Sequence, residues 1–385
     1  MIYYAAHALA KCAAEPNRIE NGAGETVCAF KTERGKVNMK IVVICGGRSN
    51  ERDVSLSTGS MVAKALRASG HEVVLADACL GVELDCPPAE AFSKNIPIPE
   101  YKITSTAPDV RPFFERKEGF FGKNVLELCR EADIVFNALH GDEGENGKLQ
   151  AAFDMMNIRY TGAGSQGSLL AMNKSISKLV FREHDIPTPE DVILHGESAD
   201  EAVKKCAWLG FPCVVKPASL GSSVGVSIAY DERDFRASIE AASAYEDTII
   251  VERYIRGREF SVGIVGDRVL PAIEIIPKEG FYDYKNKYQP GATMEICPAE
   301  INPQLKKELE RCTRAVFRAL GLGAYARVDF MVDDNGVYCL EANTTPGMTP
   351  TSLLPQEAAA VGMEFPALLE NIIAESMKLE RKQNE

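Results

Sequence analysis

The stretch Met39-Lys-Ile-Val-Val-Ile-Cys-Gly-Gly47 decides the fold class. Ile41–Cys45 is a continuous apolar, β-branched run, the pattern of a parallel strand covered on both faces. Gly46-Gly47 ends it, and Ser55–Ser69 follows with helical spacing at Leu56, Met61, Ala65 and Leu66. Val73–Leu75 reads as a second strand and Ile134–Leu139 as a further one, running into His140-Gly141. Between them, Pro87–Pro112 carries turn signals without periodicity and reads as an elaboration at the edge of the first domain. Strands alternating with helices predict a parallel sheet with ligands at the carboxyl ends of its strands. Backward from Met39 the pattern stops. Residues 1–38 lack the order of basic, apolar and small residues that a secretory signal needs, and they are expected to be a poorly ordered extension, with Met39 resembling a chain start.

Forward from the first domain the character changes to α+β. Ser168–Leu194 is expected to open as one helix (Leu170, Lys174, Lys178, Val180), stopped by Ile186-Pro-Thr-Pro189. A helix at Ala199–Leu209, strands at Cys213–Lys216 and Val224–Ala229, a helix over 235–244 and a strand at Thr248–Glu252 complete a small unit. The last third predicts strands at Phe260–Val265, Val269–Ile276, Ala326–Val332 and Val337–Glu341, with helices at Pro303–Leu320 and Pro366–Leu379. The expected division is 1–38 extension, 39–163 N-terminal domain, 164–251 central lobe and 252–385 C-terminal lobe.

Composition narrows the function classes. The 385 residues suit two to three domains at about 150 residues each. Forty-three Lys and Arg against 55 Asp and Glu give a net charge of −12, which argues against a nucleic-acid partner. Hydrophobic residues at 45% and charged residues at 25% are globular values, and no apolar run could span a bilayer, so no membrane partner is expected. The eleven cysteines are scattered, form no CxxC pair and read as small buried hydrophobes. Five histidines without HxxxH or HxH do not support a zinc site.

Three glycine- or acid-rich segments could carry chemistry. Gly162-Ala-Gly-Ser-Gln-Gly167 fits G-x-G-x-x-G, but the acids about 20 residues on, Glu183 and Asp185, end a helix instead of a strand, so a tight turn is the stronger reading. Lys216-Pro-Ala-Ser-Leu-Gly-Ser-Ser-Val-Gly225 is either a β-hairpin with a flexible loop or an anion cradle of backbone N–H groups and serine hydroxyls. The lysine delivered by the preceding strand favours the cradle. In Arg327-Val-Asp-Phe-Met-Val, an Asp-Asn-Gly turn and Val337-Tyr-Cys-Leu-Glu-Ala-Asn343, the turn predicts a hairpin. Asp329 can then face Glu341 and Asn343. Three oxygen ligands on strands suit Mg²⁺, against the alternative of a solvated acidic face, and Arg327 shares the side of Asp329.

Together these segments resemble the D-alanine–D-alanine ligases of the ATP-grasp superfamily, from Met39 to about Met377. The resemblance rests on seven motifs in order: Gly46–Ser55, Leu139–Gly147, Tyr160–Gly164, Met172–Lys174, Lys216–Ser227, Phe281–Tyr288 and Leu340–Met348. It implies an ATP-grasp fold preceded by a parallel-sheet N-terminal domain, in an enzyme joining two D-alanines through an acyl phosphate. Two Mg²⁺ or Mn²⁺ ions held by Asp329, Glu341 and Asn343 are implied, with Lys174, Lys216, Ser223 and Lys287 toward the phosphates. Glu252 and the backbone near Ile255 are implied for adenine, and Glu259 for ribose. Glu51 matches the receptor of the first substrate's ammonium, and Ser222 and Tyr288 match the groups linked to it across the closed site. Arg327 and the Gly347 amide match the oxyanion stabilisers. Ser352, Leu353, Val54 and His140 match the surroundings of the substrates. The segment Glu279–Gly291, with Lys287 and Tyr288, reads as a lid of the D-alanine type. A homodimer in the cytoplasm, serving peptidoglycan synthesis, is the expectation. Ligases using D-lactate or D-serine are the nearest alternative, and a non-catalytic nucleotide-binding module or an oxidoreductase built on Gly162–Gly167 are the alternatives from other classes. Asn146 and Asn173 stand where the family commonly has Asp, and Thr345 where it often has Ser.

Overall fold

The computed structural model describes residues 38–104, 108–116, 119–278, 293–349 and 351–379. Three strands, β1 (Lys40–Cys45), β2 (Glu72–Asp77) and β3 (Ile134–Asn137), form a parallel sheet in the order β2-β1-β3. The continuous apolar run of β1 has the expected cause. Ile41, Val43 and Cys45 enter one core, Val42 and Ile44 the other, and all five are buried. The first core is shared with the C-terminal helix Phe365–Met377 through Leu368, Leu369, Ile372 and Ile373, so the two ends of the described chain close on each other.

The second sheet is antiparallel, in the order β4 (Asp191–His195), β7 (Thr248–Arg253), β5 (Cys213–Pro217), β6 (Ser227–Ala229). Helices Ala199–Cys206 and Glu232–Ser243 cover one face, where Val215, Val251, Phe235 and Ile239 pack together. The opposite face of β5 and β7 presents Lys216 and Glu252. The third sheet runs β11 (Thr293–Ile296), β10 (Ile273–Pro277), β8 (Arg258–Val265), β12 (Tyr325–Asp333), β13 (Gly336–Asn343), with β9 (Arg268–Val269) paired to β8. Helix Pro303–Ala319 covers it through Leu309, Cys312 and Val316, packed on Phe260, Val328 and Phe330. No helix among the described residues is long and apolar enough to cross a membrane.

Strands β4 and β11 have no counterpart in the sequence reading and β6 starts at Ser227 instead of Val224, and three further departures stand beside these. The single helix expected from Ser168 is two, Ser165–Met172 and Lys174–Glu183, because Asn173 turns extended and its side chain accepts the N–H groups of Ser175 and Ile176. The strand expected over Val269–Ile276 is interrupted into β9 and β10, where Pro271 supplies no N–H to a ladder. The first helix starts at Arg52 instead of Ser55. Of the Gly162–Gly167 segment, Gly162–Gly164 is non-helical with a bend at Gly162, and Ser165–Gly167 opens the helix Ser165–Met172. A side chain at Gly167 would lie 2.5 Å from the carbonyl oxygen of Gly321, which explains that glycine without any nucleotide. Of the nine cysteines among the described residues, all free, seven are buried.

Candidate active site

The acidic hairpin owes its geometry to a bulge. On β13, Val337 and Cys339 point into the core, and strict alternation would send Glu341 and Asn343 after them. The register with β12 shifts between Asp329 and Phe330, so Asp329 pairs with Glu341 while Phe330 pairs with Cys339. Leu340 is the extra residue. It flips the strand so that Ala342 is buried and Glu341 and Asn343 emerge on the side of Asp329. Asp329 is buried and densely held. Its Oδ1 accepts from the Ser261 hydroxyl at 2.6 Å and Arg327 Nε at 3.0 Å, and its Oδ2 from Arg327 Nη2 at 2.8 Å and Asn343 Nδ2 at 2.9 Å. Arg327 therefore shares the face of Asp329, as expected, and grips it in a bidentate fork.

The central lobe supplies two lysines, of which Lys174 reaches this hairpin. Lys174, the first residue of its helix, has its ammonium 3.2 Å from Glu341 Oε2 and 2.8 Å from the Leu220 carbonyl. Its backbone N–H donates to Ala218 at 2.9 Å, which ties the glycine-rich loop to the helix start. The Asn173 cap sets this start, so Asn173→Ala should lower stability by about 1 kcal/mol, read from the denaturant midpoint. Lys216, at the end of β5, lies 2.8 Å from Glu252 Oε2. Burial by itself would push the Glu252 carboxyl up, but the Lys178 and Lys216 ammonium groups more than offset it and hold it at about 2.

The loop itself crosses to the N-terminal domain. Ser219 is anchored to Glu246 through both its N–H and its hydroxyl, each at 2.9 Å. Ser222 and Ser223 are both left-handed, at φ 51° and 58°. Non-glycine residues hold that conformation at a cost, and such strain clusters at ligand clamps. It aims the Ser222 hydroxyl at Glu51 Oε1, at 2.5 Å. Glu51 precedes the first helix of the N-terminal domain, beside His140, which is buried and 3.0 Å from the Thr58 hydroxyl. Burial lowers the His140 pKa, against the pull of the Glu51 carboxylate.

These contacts enclose two adjoining clefts. The larger, about 700 Å³, brings together Glu51, Val54, His140, Ser222, Arg327, Asn343, Gly347, Ser352 and Leu353. The smaller, about 320 Å³, joins Lys174, Glu341 and Asn343. Gly221, Asn343 and Glu145 line both. Ser352 sits at the mouth of helix Leu353–Ala359 and receives the Thr349 N–H at 2.9 Å. Ser223, Lys216, Glu252, Ile255, Glu259 and Asp329 line neither cleft. Glu252 and Ile255 are buried, and Glu259 is half-buried on β8. Lys287 and Tyr288 lie outside the described residues.

The sequence reading missed Glu145. It lies inside the Leu139–Gly147 motif, where nothing in the local pattern marks it out. It is half-buried, hydrogen-bonded to the Thr345 hydroxyl, and pushed up to about 7 from 4.5 by burial and by the neighbouring Glu51 carboxylate. The folded chain thus holds a proton there that the unfolded chain releases. Its stabilising contribution is full below about pH 4.5 and is lost as pH rises through about 7. The melting temperature of Glu145→Gln should gain on the wild type from pH 5 to pH 7 and then level off. A difference independent of pH would refute the assignment.

Hard oxygen donors from Asp329, Glu341 and Asn343 fit a divalent cation. They are too few for an all-protein cage, which suits Mg²⁺, an ion that keeps waters and substrate phosphates.

Two α+β lobes, one offering lysines on a strand and a helix start, the other paired carboxylates on a hairpin, define the ATP-grasp class. The model of the D-Ala–D-Ala ligase N-terminus matches residues 40–163, and that of the C-terminus residues 180–374. A D-alanine–D-alanine ligase of Pediococcus pentosaceus is 43% identical over 348 residues, covering 89% of this chain and 98% of the relative. The ligase of Bacillus anthracis complexed with ATP has a TM-score of 0.66 at 32% identity, covering 91% of this chain and all of that one. The VanG D-Ala:D-Ser ligase of Enterococcus faecalis gives 0.69 at 25% identity, covering 88% and 100%. The chain belongs to the D-alanine–D-alanine ligase family.

Proposed function

We propose that this enzyme joins two D-alanines into D-alanyl-D-alanine, consuming ATP and releasing ADP and phosphate, for peptidoglycan synthesis. The observation that carries the reading is the adjoining of the two clefts across Gly221 and Asn343, which supports transfer of a phosphoryl group from one to a carboxylate in the other.

In this reading Glu51 receives the ammonium of the first D-alanine and orients its carboxylate toward the smaller cleft. Lys174, Lys216 and Ser223 hold the phosphates, and the family resemblance adds Lys287 to them. Glu252 and the backbone at Ile255 meet the adenine, and Glu259 the ribose. A carboxylate oxygen attacks the terminal phosphorus, ADP leaves, and an acyl phosphate remains. The second D-alanine, seated by Ser352, Leu353, Val54 and His140, attacks the acyl carbon through its amine. Arg327 and the Gly347 N–H stabilise the tetrahedral oxyanion, and collapse expels phosphate. Asp329, Glu341 and Asn343 would hold two Mg²⁺ or Mn²⁺ ions, which neutralise phosphate charge when bound. Tyr288 is assigned, by the family resemblance alone, to excluding water from the acyl phosphate together with Ser222 and Glu51.

The proposed division is 39–163, 164–251 and 252–385 for the three working parts, in a cytoplasmic homodimer. The second reading, a D-alanine–D-serine ligase, is favoured by one observation, the fold similarity to such an enzyme. Phosphate release with ATP and Mg²⁺ against D-alanine, D-serine, D-lactate and L-amino acids separates the two. Release with D-alanine alone, at its full rate, is expected. Release that requires D-serine would replace the first reading by the second.

A further inference from the structure

A line of alternating charges crosses the central lobe, and the mechanism above uses only its end. Arg182, on the surface, contacts Asp191 on β4 at 2.6 Å. Lys178, on the helix Lys174–Glu183, lies between Asp191 at 3.5 Å and Glu252 Oε1 at 2.9 Å. Glu252 Oε2 then meets Lys216 at 2.8 Å. The Lys178 side chain is 0% exposed, and Asp191 and Glu252 are nearly as deeply buried. Its ammonium also donates to the Thr188 hydroxyl at 2.7 Å and the Pro189 carbonyl at 2.8 Å.

Asp191 and Glu252 stand directly opposite in the β4–β7 register, where like charges repel. Lys178 lies between the two carboxylates and offsets that repulsion. The charge count gives it a further consequence. Three cations alternate with two carboxylates, so one positive charge is left over, and the line ends at Lys216. Without Lys178 the line breaks into two neutral pairs, Arg182 with Asp191 and Glu252 with Lys216. The ammonium meant for a phosphate would then be fully committed to a carboxylate.

We infer that Lys178 is a positioning residue for phosphate binding: by holding one oxygen of Glu252 it frees the charge of Lys216 for the nucleotide. This rests on the reading of Lys216 as a phosphate group's partner. A buried lysine that served only to knit the lobe together would affect stability, not the affinity for an anion.

The test is the affinity of the purified full chain for inorganic tripolyphosphate, which has no adenine to engage Glu252, measured by calorimetry. Lys178→Met should lose about tenfold or more, because a unit charge a few ångströms away in a partly buried site is worth at least that. Lys178→Met/Glu252→Gln restores the surplus charge at Lys216 and should recover most of the loss. Arg182→Gln, a surface change that leaves Asp191 to compete for Lys178, should weaken binding by about two- to threefold. It remains informative if the buried variants do not fold. In the ligase assay, the KM for ATP should rise with Lys178→Met while the KM for D-alanine holds. Tripolyphosphate affinity unchanged in Lys178→Met, or in Arg182→Gln where the buried variants fail to fold, overturns the inference while leaving the phosphate role of Lys216 standing. Wild-type affinity insensitive to Lys216→Met would remove both.

Discussion

Glu341→Gln is expected to reduce ADP release by about 10³-fold or more while leaving the circular dichroism and thermal melt close to those of the wild type. The carboxylate is partly exposed on β13, with Lys174 3.2 Å away. Lys174 is buried, but it keeps the Leu220 carbonyl at 2.8 Å and the amide keeps the shape of the carboxylate, so the melt should fall only modestly. The chemistry is different. An amide keeps the shape and one oxygen but removes the negative charge from a site of only two carboxylates and an amide. A metal contributes several kcal/mol of charge stabilisation in phosphoryl transfer, and each 1.36 kcal/mol is about a factor of ten. Raising Mg²⁺ should recover part of the loss, since the defect is in affinity for the ion as well as in its placement. Turnover within tenfold of the wild type at ordinary Mg²⁺ would sink the metal assignment.

Arg327→Met should lower kcat by about 10²–10³-fold, the loss expected when one donor to a developing oxyanion is removed. Arg327 lines the larger cleft, and its fork on Asp329 holds the guanidinium plane before substrate arrives. Preorganisation of this kind acts on the transition state, so kcat should fall more than the KM for D-alanine rises. Arg327→Lys should recover little, because an ammonium on a flexible stem cannot keep the two parallel hydrogen bonds. Part of the effect will be structural, since Asp329 loses a partner in a buried place. Asp329 keeps Ser261 and Asn343, however, so the melt should fall modestly. An equal rise in KM and fall in kcat/KM at constant kcat would point to ground-state binding instead.

What could be read from the sequence was whatever depends on local pattern. The apolar run Ile41–Cys45 is a buried parallel strand, because five consecutive apolar residues can be satisfied only if both faces are covered. The Asp-Asn-Gly turn makes the hairpin readable, and with it the facing of Asp329 with Glu341 and Asn343. What was hidden depends on register. Plain alternation from Val337 and Cys339 would place both Glu341 and Asn343 in the core, and the extra residue at Leu340 that brings them out is announced by no composition rule. Asn173 interrupts a run of good helical spacing because its side chain caps the next helix, a competition that periodicity does not record. Lys178 looked like one more turn of a helix. Its burial follows from the pairing of Asp191 with Glu252 across strands nearly sixty residues apart. Glu145 is visible within a motif, but its raised pKa comes first from burial and then from the Glu51 carboxylate, both set by the fold.

The central claim is that a carboxylate is activated by phosphorylation, and an isotope decides it. D-alanine labelled with ¹⁸O in its carboxylate is incubated with ATP, Mg²⁺ and the enzyme, and the released phosphate is examined by mass spectrometry. Attack of the carboxylate on phosphorus followed by displacement of phosphate at carbon predicts one ¹⁸O in each phosphate and none in ADP. Unlabelled phosphate, or label appearing in AMP, would contradict the account.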